Sequence, residues 1–456
     1  MKRRLAGLFA VAVVACGQST GAVAPSPTRA TPSPIPSASP AQLADWPEYH
    51  RNAARTGQGP AAPGIGNPRR AWSVAVDGKV YASPLIVGGH VIVATANNTV
   101  YSLDLGSGRT IWKSHLGAPV NAATLPCGDI GPVTGITGTP AADAQTGDLF
   151  VVAFLAGYHH VLFTLSLTDG SVVRQQAVDP PGSSPAVQQE RGALALGSGF
   201  VYVPLGGLYG DCGSYHGYVV GIPVGGGTVT AYRTPSTRES GIWSPMGPTI
   251  SETGALYVAT GNGSAASSFD YSNSVLELSS DLKLRGYFAP SNWRSLDASD
   301  TDLGSVGVTL LPALGAVVSI GKEGVVYVLR AANLGEVGGQ AAARRVCAAA
   351  WGGTAWSGST VFLPCLDALV AVTISPADAS VLWRAGQVHM GSPILAGGAA
   401  WAIDVSSATL YALDPSSGAV RFDLGLGSAE HFSTPAATQG YVVAPAGAAV
   451  VAVATS

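Results

Sequence analysis

Short runs of apolar and β-branched residues, separated by glycine-rich or polar turns, recur along most of this chain. The segment 78–117 shows the pattern most completely, because it contains four such runs. Runs of about five residues between dipeptides such as Gly-Gly and Asn-Asn are typical of antiparallel hairpins. The pattern therefore predicts a four-stranded meander. Its expected strands cover residues 80–87, 91–95, 100–103 and 111–112.

The same unit recurs near the C-terminus, since residues 409–422 align without a gap with residues 99–112. Tyr, Leu, Asp and Gly fall at the same places in both segments. A four-stranded unit repeated at about 40 to 60 residues predicts a radial array of blades, because each sheet can bury its two faces only against its neighbours. Small-residue turns mark eight blades, at residues 83–84, 139–140, 191–193, 247–248, 304–306, 353–355, 392–393 and 434–435.

The last repeat, residues 431–456, stops one strand short, whereas the apolar run 70–76 stands before the first blade without a partner. Trp72 in this run takes the place that Trp112 and Trp383 have at the ends of their own blades. The run is therefore predicted to complete the last blade, which covers two open sheet edges. The predicted fold is all-β, an eight-bladed β-propeller of four-stranded antiparallel blades whose ring is closed by an N-terminal strand.

Composition agrees with this fold and excludes one class of function. With 59 Gly, 31 Pro and only 11% charged residues among 456, the chain is rich in turns and poor in helix-forming surface. The formal net charge of −3 offers no clustered basic face, so no nucleic-acid partner is expected.

The first 45 residues are predicted to target the protein for export and to anchor it, and not to form part of the folded body. Lys2-Arg3-Arg4 and the apolar stretch 5–15 form a signal peptide, 1–15, that is too short to span a bilayer. The sequence before Cys16 resembles a bacterial lipobox, with Val13 where Leu is commoner, so Cys16 is the expected lipidation site. An ordinary secretory signal with a chance cysteine is the alternative. Residues 16–45, rich in Pro, Ser, Thr and Ala, are predicted to be a disordered linker.

This reading places the body, residues 46–456, outside the cytoplasm and anchored to the bacterial cell membrane by its lipid. It leaves the Gram type of the envelope open. Four further cysteines in an exported chain favour disulfides, and four cysteines allow three pairings. We expect Cys347 to pair with Cys365, within one repeat, and Cys127 to pair with Cys212, in consecutive repeats.

The repeat Thr-Val-Tyr-Ser-Leu-Asp-x-x-Ser-Gly-x-x-x-Trp, the lead-in 46–57 and the eightfold count are similar to the PQQ-repeat propellers. This superfamily includes the quinoprotein alcohol dehydrogenases and the BamB-type outer-membrane assembly lipoproteins. The resemblance covers residues 46–456. It is a strong indication of fold and a weak one of activity, because a fold does not fix a function.

Four residues match quinoprotein dehydrogenase segments in the same order along the chain. The resemblance makes Trp243 the surface on which the planar cofactor PQQ stacks, Asn262 a calcium ligand, Asp300 the catalytic base and Lys322 a cation that holds the quinone oxygens. These roles are chemically coherent, because calcium prefers oxygen ligands and a carboxylate can accept a proton. Each residue also has a structural alternative: an aromatic between blades, a turn residue, a loop cap and a solvated hairpin tip.

Other features depart from the dehydrogenases. The chain lacks two adjacent cysteines and a haem domain, and Glu190 is only the nearest candidate for the calcium-ligating glutamate. The segment 209–217 and the pair His159-His160 do not have the spacing of a familiar metal site, so we expect them to be structural.

Two hypotheses follow from these observations. The first, which the sequence favours, is a lipid-anchored binding or scaffold module that engages an envelope protein or polymer and is expected to be a monomer. The alternative is a PQQ- and calcium-dependent dehydrogenase that oxidises an alcohol.

Overall fold

The computed structural model describes residues 44–60, 64–264 and 267–455. One compact unit covers Leu43–Ser456, and the other, Met1–Gln42, lies outside the described residues together with the predicted signal peptide and Cys16. Eight antiparallel sheets follow one another along the chain as the blades of a propeller. The eight-bladed fold predicted from the repeat is therefore confirmed.

Each blade has an innermost strand, two middle strands and an outermost strand. Blades 1 and 2 contain Leu85–Val87, His90–Ala94, Thr99–Asp104, Thr110–His115, and Ala141–Asp143, Asp148–Leu155, His159–Ser166, Val172–Ala177. Blades 3 and 4 contain Ala195–Gly197, Phe200–Gly207, Tyr218–Pro223, Thr230–Arg233, and Thr249–Ile250, Leu256–Ala259, Val275–Leu278, Leu284–Ala289. Blades 5 and 6 contain Thr309–Leu311, Ala316–Ser319, Val325–Arg330, Ala342–Arg345, and Ala355–Ser357, Thr360–Pro364, Leu369–Ser375, Asp378–Ala385. Blades 7 and 8 contain Ile394–Ala396, Ala399–Asp404, Thr409–Leu413, Val420–Gly425, and Ala436–Thr438, Tyr441–Pro445, Ala449–Ala454, Arg69–Ala75.

The remaining elements are short and lie in the connections. Gln188–Gln189 adds to blade 3, Glu336–Val337 adds to blade 4 in parallel, and Val120–Asn121 pairs with Val133–Thr134. The described residues contain one short α-helix, Trp293–Ala298. The 3-10 turns are Tyr49–Arg51, Ala122–Thr124, Pro185–Val187, Leu303–Ser305 and Pro312–Leu314.

Burial explains why the inner strands are apolar throughout. Leu85–Val87 and nearly all of His90–Ala94 are buried on both faces, because each blade packs against its neighbours. The outermost strand Thr110–His115 buries only Trp112 fully. The predicted run 80–87 forms a strand only from Leu85, since Val80 donates its N–H to the carbonyl of Gly447 in blade 8 instead.

Tryptophans of the outermost strands join consecutive blades. Trp112 of blade 1 donates its indole N–H to the carbonyl of Leu167 in blade 2, at 3.0 Å. Gly170 packs directly on the same indole, so the Asp-x-x-Ser-Gly-type turn of one blade covers the tryptophan of the blade before it. The repeat signature thus encodes contacts between blades as well as the turn itself.

The ring closes as the sequence predicts. Arg69–Ala75 pairs antiparallel with Ala449–Ala454 and supplies the outermost strand of blade 8. Trp72 donates its indole N–H to the carbonyl of Leu105 in blade 1 at 2.7 Å, which repeats the contact between blades 1 and 2. The two ends of the body are therefore joined in one sheet.

We expect Gly170→Ala to destabilise the protein by about 3 kcal/mol, because it combines backbone strain with overpacking. Gly170 has φ +72°, and a Cβ there would lie 2.5 Å from the Trp112 indole. Gly147→Ala is the matched control, since Gly147 has φ +79° but no atom within 4 Å of the added Cβ. Denaturant unfolding should show a loss of about 1 kcal/mol for the control. Equal losses in the two variants would show that the indole contact is unimportant.

Residues 44–60, here called the axial segment, tie the blades together along the ring. Trp46 pairs with Ile86 of blade 1, and Arg55 donates to the carbonyls of Leu194 and Pro248, at the starts of blades 3 and 4. Further contacts reach blades 2, 6, 7 and 8, through Pro47 to Ala142, Thr56 to Trp356, Gly57 to Leu395, and Tyr49 to Thr434.

The axial segment is polar although it is buried. Arg55 is fully buried and forms an ion pair with Glu48, with Nη1 to Oε2 at 3.3 Å. His50 is also fully buried, and its ring stacks on Tyr49 with centroids 4.2 Å apart. Arg55 is satisfied by hydrogen bonds to protein oxygens, whereas both ring nitrogens of His50 lack a hydrogen-bond partner among the described residues.

Both expected disulfides are present. Cys127 pairs with Cys212 and Cys347 pairs with Cys365. The first bond links two loops, and the second links the end of blade 5 to a loop of blade 6. Bonds of this kind are typical of proteins that fold outside the reducing cytoplasm.

Candidate functional site

A cavity of about 660 Å³ opens where the loops that precede the innermost strands meet the loops that follow the second strands. Because these loops come from several blades, the cavity collects residues that are far apart in sequence, from Asp129 to Phe432. The axial segment lies close behind it, since Tyr49 packs on Ala193 and Met246, which are near the lining residues of blades 3 and 4.

All four residues predicted from the dehydrogenase resemblance line this one cavity. Trp243 precedes the innermost strand of blade 4, and Asn262 follows the second strand of the same blade. Asp300 and Lys322 come from the corresponding loops of blade 5. Two neighbouring blades therefore bring an indole, an amide, a carboxylate and an ammonium group together.

The backbone near these residues is shaped to allow close packing. A Cβ at Gly261 would lie 3.0 Å from the indole nitrogen of Trp243 and would overlap the carboxylate of Asp302. Glycine at this position therefore lets the Trp243 ring and the Asp302 carboxylate approach the same turn. Asp300 has φ +50°, a conformation that is uncommon for a residue with a side chain and is found at functional sites.

Lys322 is the centre of a charged cluster. Its Nζ lies 2.5 Å from Oδ2 of Asp302, 3.0 Å from Oδ1 of Asp300 and 5.9 Å from the centre of the Trp243 ring. The other Asp302 oxygen accepts the backbone N–H of Asn262 at 2.6 Å. Asp302 thus connects Asn262 to Lys322 and fixes the positions of both residues.

Burial and charge act against each other in this cluster. Burial raises the pKa of Asp302 to about 6, although Lys322 opposes the shift. Burial lowers the pKa of Lys322, but the carboxylates of Asp302 and Asp300 outweigh it, so the pKa is raised overall. The Asp300 side chain is 66% exposed and can therefore meet a ligand in the cavity.

A second group of side chains, which the sequence analysis did not identify, contributes another part of the wall. The guanidinium of Arg191 lies 4.9 Å from the centre of the Phe432 ring, and its Nη2 forms an ion pair with Oδ2 of Asp129 at 3.6 Å, which is too long for a hydrogen bond. His431 lies 3.2 Å from Asp129, whose pKa burial would raise but His431 and Arg191 bring to about 2. Arg191 begins the small-residue turn 191–193 of blade 3. The loops before the innermost strands line the cavity, so this position was the one feature of the sequence that could have indicated a site residue.

Apolar side chains also line the cavity. Leu208, Tyr209, Trp351, Met390 and Phe432, here called the apolar collar, come from blades 3, 6, 7 and 8. The disulfide between Cys127 and Cys212 joins two of the cavity loops, close in sequence to the lining residues Asp129 and Asp211.

Glu190 does not line the cavity. Its carboxylate accepts the backbone N–H of Gly138 at 3.1 Å, while Oε1 has no hydrogen-bond partner among the described residues. Burial raises its pKa well above the ordinary value. Glu190 is therefore a buried group outside the cavity lining, where burial disfavours its charged form, rather than a ligand beside Asn262.

Part of the segment 209–217, which we expected to be structural, lines the cavity through Tyr209, Asp211 and Tyr215. The histidines noted in the sequence have structural surroundings. His160 stacks on Phe154 and lies 2.7 Å from Asp179, and His216 lies 2.7 Å from Arg233. Within the described part of the chain, the one cluster of three His, Cys, Asp or Glu ligand atoms contains Cys347, Cys365 and Asp367. Its two cysteines form a disulfide, which removes them as metal ligands.

Comparison with known proteins agrees with the fold. The family described as outer membrane protein assembly factor BamB matches residues 68–263. Quinohemoprotein alcohol dehydrogenase ADHIIG from Pseudomonas putida HK5 has a TM-score of 0.73 at 14% identity, covering 90% of this chain and 80% of that one. BamB from Moraxella catarrhalis has a TM-score of 0.60 at 12% identity, covering 85% of this chain and all of that one.

A europium-containing methanol dehydrogenase is also similar, with a TM-score of 0.66 at 16% identity, covering 88% of this chain and 89% of that one. No curated protein matches the chain significantly in sequence. At these identities the likeness to solved structures is one of fold. The molecule is an eight-bladed β-propeller with a central cavity, and the BamB family model matches part of its ring, residues 68–263.

Among the residues that the structure describes, no helix combines the length and the apolar character that crossing a bilayer requires.

Proposed function

We propose that the central cavity binds PQQ and that the protein is a quinoprotein that oxidises an alcohol. The observation that carries this proposal is the convergence of Trp243, Asn262, Asp300 and Lys322 on one cavity. The ring brings the equivalent loops of every blade to this cavity, and what supports the proposal is that these loops place an indole, an amide, a carboxylate and an ammonium group on one wall.

The chemistry of the wall fits such a cofactor. PQQ is a flat ring system with three carboxylates. Trp243 offers it an aromatic face, and Lys322 and Arg191 offer cationic N–H donors, although these are ion-paired with Asp300, Asp302 and Asp129. The Nη2 group of Arg191 makes no hydrogen bond to Asp129, so it is a donor suited to a ligand carboxylate. A volume of about 660 Å³ lies within the range of small-molecule sites.

The chain supplies a base for the reaction. PQQ, when bound, supplies a two-electron oxidant. The exposed carboxylate of Asp300 accepts the proton of the alcohol hydroxyl, and Lys322 at 3.0 Å holds that carboxylate in place. Asp302 keeps Lys322 in position from the buried side.

The described residues do not form a calcium site. Asp300 and Asp302 share the Lys322 ammonium, and Glu190 lies outside the cavity lining. Calcium takes six to eight oxygen ligands, and Asn262 with two carboxylates that share a single ammonium group falls short of that number. We therefore assign no step to a metal ion.

Isothermal calorimetry of the purified protein with PQQ, in a buffer containing calcium chloride, tests the cofactor. We expect one site, and we expect Trp243→Ala to weaken binding about tenfold, since stacking contributes about 1 kcal/mol beyond buried area. Trp356→Ala, in blade 6 outside the cavity lining, is the matched control and should bind like the wild type. Absence of binding to the wild type would overturn the proposal.

Dye reduction by alcohols tests the chemistry. Asp300→Asn should retain PQQ affinity within about threefold but lose at least about 100-fold in turnover, the usual effect of removing a general base. Full activity in this variant would remove Asp300 from the mechanism.

The scaffold hypothesis favoured by the sequence has its own support. The match to the BamB family is one observation, and the exposed apolar residues on the outermost strands of blades 2 and 6, Val172, Val173, Val381 and Leu382, are another. A protein that binds no PQQ but is cross-linked to an envelope partner through these strands would replace the quinoprotein proposal. The lipid anchor at Cys16 and the extracytoplasmic location remain part of both proposals.

A further inference from the structure

We infer that the substrate is an alcohol with a bulky apolar or aromatic body, which the apolar collar binds while its hydroxyl reaches Asp300. This inference rests on the proposed function, because it names the substrate class of the same site. It is carried by the composition of the collar, its exposure and its backbone conformation.

The cavity wall contains two chemically different sets of residues. Asn262, Asp300 and Lys322 come from blades 4 and 5 and present polar groups. The collar residues come from blades 3, 6, 7 and 8 and present an indole, a phenol, a phenyl ring, a thioether and a branched chain. Blades 3 and 8 also present Arg191, Asp211 and His431, so the collar is an apolar part of a mixed wall. A ligand that covers the collar must offer it apolar surface while its polar end reaches Asp300.

Tyr209 indicates that the collar is incomplete without a ligand. It is 68% exposed, the largest exposure among the large hydrophobic residues identified as exposed in the described chain. The others with high exposure, such as Val173 and Leu382, lie on outermost strands. An exposed aromatic ring at a cavity gains free energy when an apolar group covers it.

The backbone supports the same conclusion. Phe432 and Met390 have φ values of +64° and +54°, which are unfavourable for side chains of this size. Such conformations persist where the surrounding structure imposes them and are concentrated at binding and catalytic sites. Two collar residues are thus held in strained positions that direct the chain around the cavity.

A small alcohol would leave most of this surface unused. Each methylene group that a longer alcohol buries improves binding by about fourfold. The collar should therefore favour 1-hexanol or benzyl alcohol over ethanol, and the preference should depend on collar residues rather than on the polar set.

Binding of alcohols to the full-length protein without quinone tests the collar directly, by tryptophan fluorescence and saturation-transfer NMR. We expect 1-hexanol and benzyl alcohol to bind at least about tenfold more tightly than ethanol, and Tyr209→Ser to weaken their binding by about fivefold or more. Tyr441→Ser, a half-buried tyrosine in blade 8 outside the cavity lining, is the matched control and should leave binding unchanged.

The PQQ-loaded protein then distinguishes the two proposals. A ratio of kcat/KM for 1-hexanol over ethanol of at least about ten, reduced in Tyr209→Ser, supports the inference. Equal values for both alcohols, in a protein that binds PQQ and oxidises them, overturn the inference and leave the proposed function intact. Failure to bind PQQ overturns the proposed function, and with it the claim that an apolar alcohol is a substrate.

Discussion

Replacing Arg55 with methionine should lower the free energy of unfolding by about 3 to 5 kcal/mol, because it leaves a buried carboxylate without its counterion. The guanidinium of Arg55 is fully buried and donates to the carbonyls of Leu194, Pro248 and Tyr49 as well as to Glu48. Removing it deprives all of these acceptors at once. Burial already raises the pKa of Glu48, and Arg55 opposes that shift, so the loss of Arg55 removes the group that most favours the charged carboxylate.

Denaturant unfolding at pH 7 measures the effect. The double variant with Glu48→Gln should recover part of the loss, because no unpaired charge is then buried. Arg421→Met is the control, since Arg421 and Asp414 form a more exposed ion pair whose loss should cost less than about 1 kcal/mol. A loss of under 1 kcal/mol in Arg55→Met would contradict the structural role of the axial segment.

The second large effect is a loss of stability in acid that depends on His50. The pKa of His50 is lowered from 6.5 to about 3, chiefly by burial and also by the nearby charge of Arg55, while the backbone of Thr354 opposes the shift. Between these two values the unfolded chain binds a proton that the folded protein excludes. Stability from this group is therefore present above pH 6.5 and is lost as the pH falls, by about 3 kcal/mol between pH 7 and pH 4.

The variant His50→Phe isolates this contribution, because phenylalanine keeps an aromatic ring against Tyr49 but does not titrate. Other groups, including Glu48, change their protonation over the same range in both proteins. We therefore expect the difference in unfolding free energy between variant and wild type to shift by about 3 kcal/mol in favour of the variant from pH 7 to pH 4. A pH-independent difference would show that His50 is not neutral and desolvated in the fold.

Much of the fold can be predicted from local sequence, because the repeat contains the residues that pack one blade against the next. The Gly of each Asp-x-x-Ser-Gly-type turn meets the tryptophan of the preceding blade, so the pattern that predicts a hairpin also specifies the neighbour. The role of strand 70–76 could be predicted because the last blade lacks one strand. The disulfide pairs could be predicted because four cysteines allow only three pairings. Trp243, Asn262, Asp300 and Lys322 could be placed in one cavity only through the resemblance to the dehydrogenases.

Other parts depend on contacts that lie outside any single repeat. Arg191 and Phe432 belong to blades 3 and 8, and their approach to within 4.9 Å depends on closure of the whole ring. Asp302 resembles a loop cap in the sequence, and only its burial beside Lys322 identifies it as the residue that positions the ammonium group. Likewise, the charged lead-in 46–57 gives no sign in its composition that it is buried along the axis.

The most direct measurement of the central claim is a crystal structure of the protein soaked with PQQ. The account predicts the ring system stacked on Trp243 at van der Waals distance, with a quinone oxygen near Lys322 and a carboxylate near Arg191. Density for PQQ elsewhere on the propeller, or a cavity that stays free of it at saturating concentration, would contradict the account.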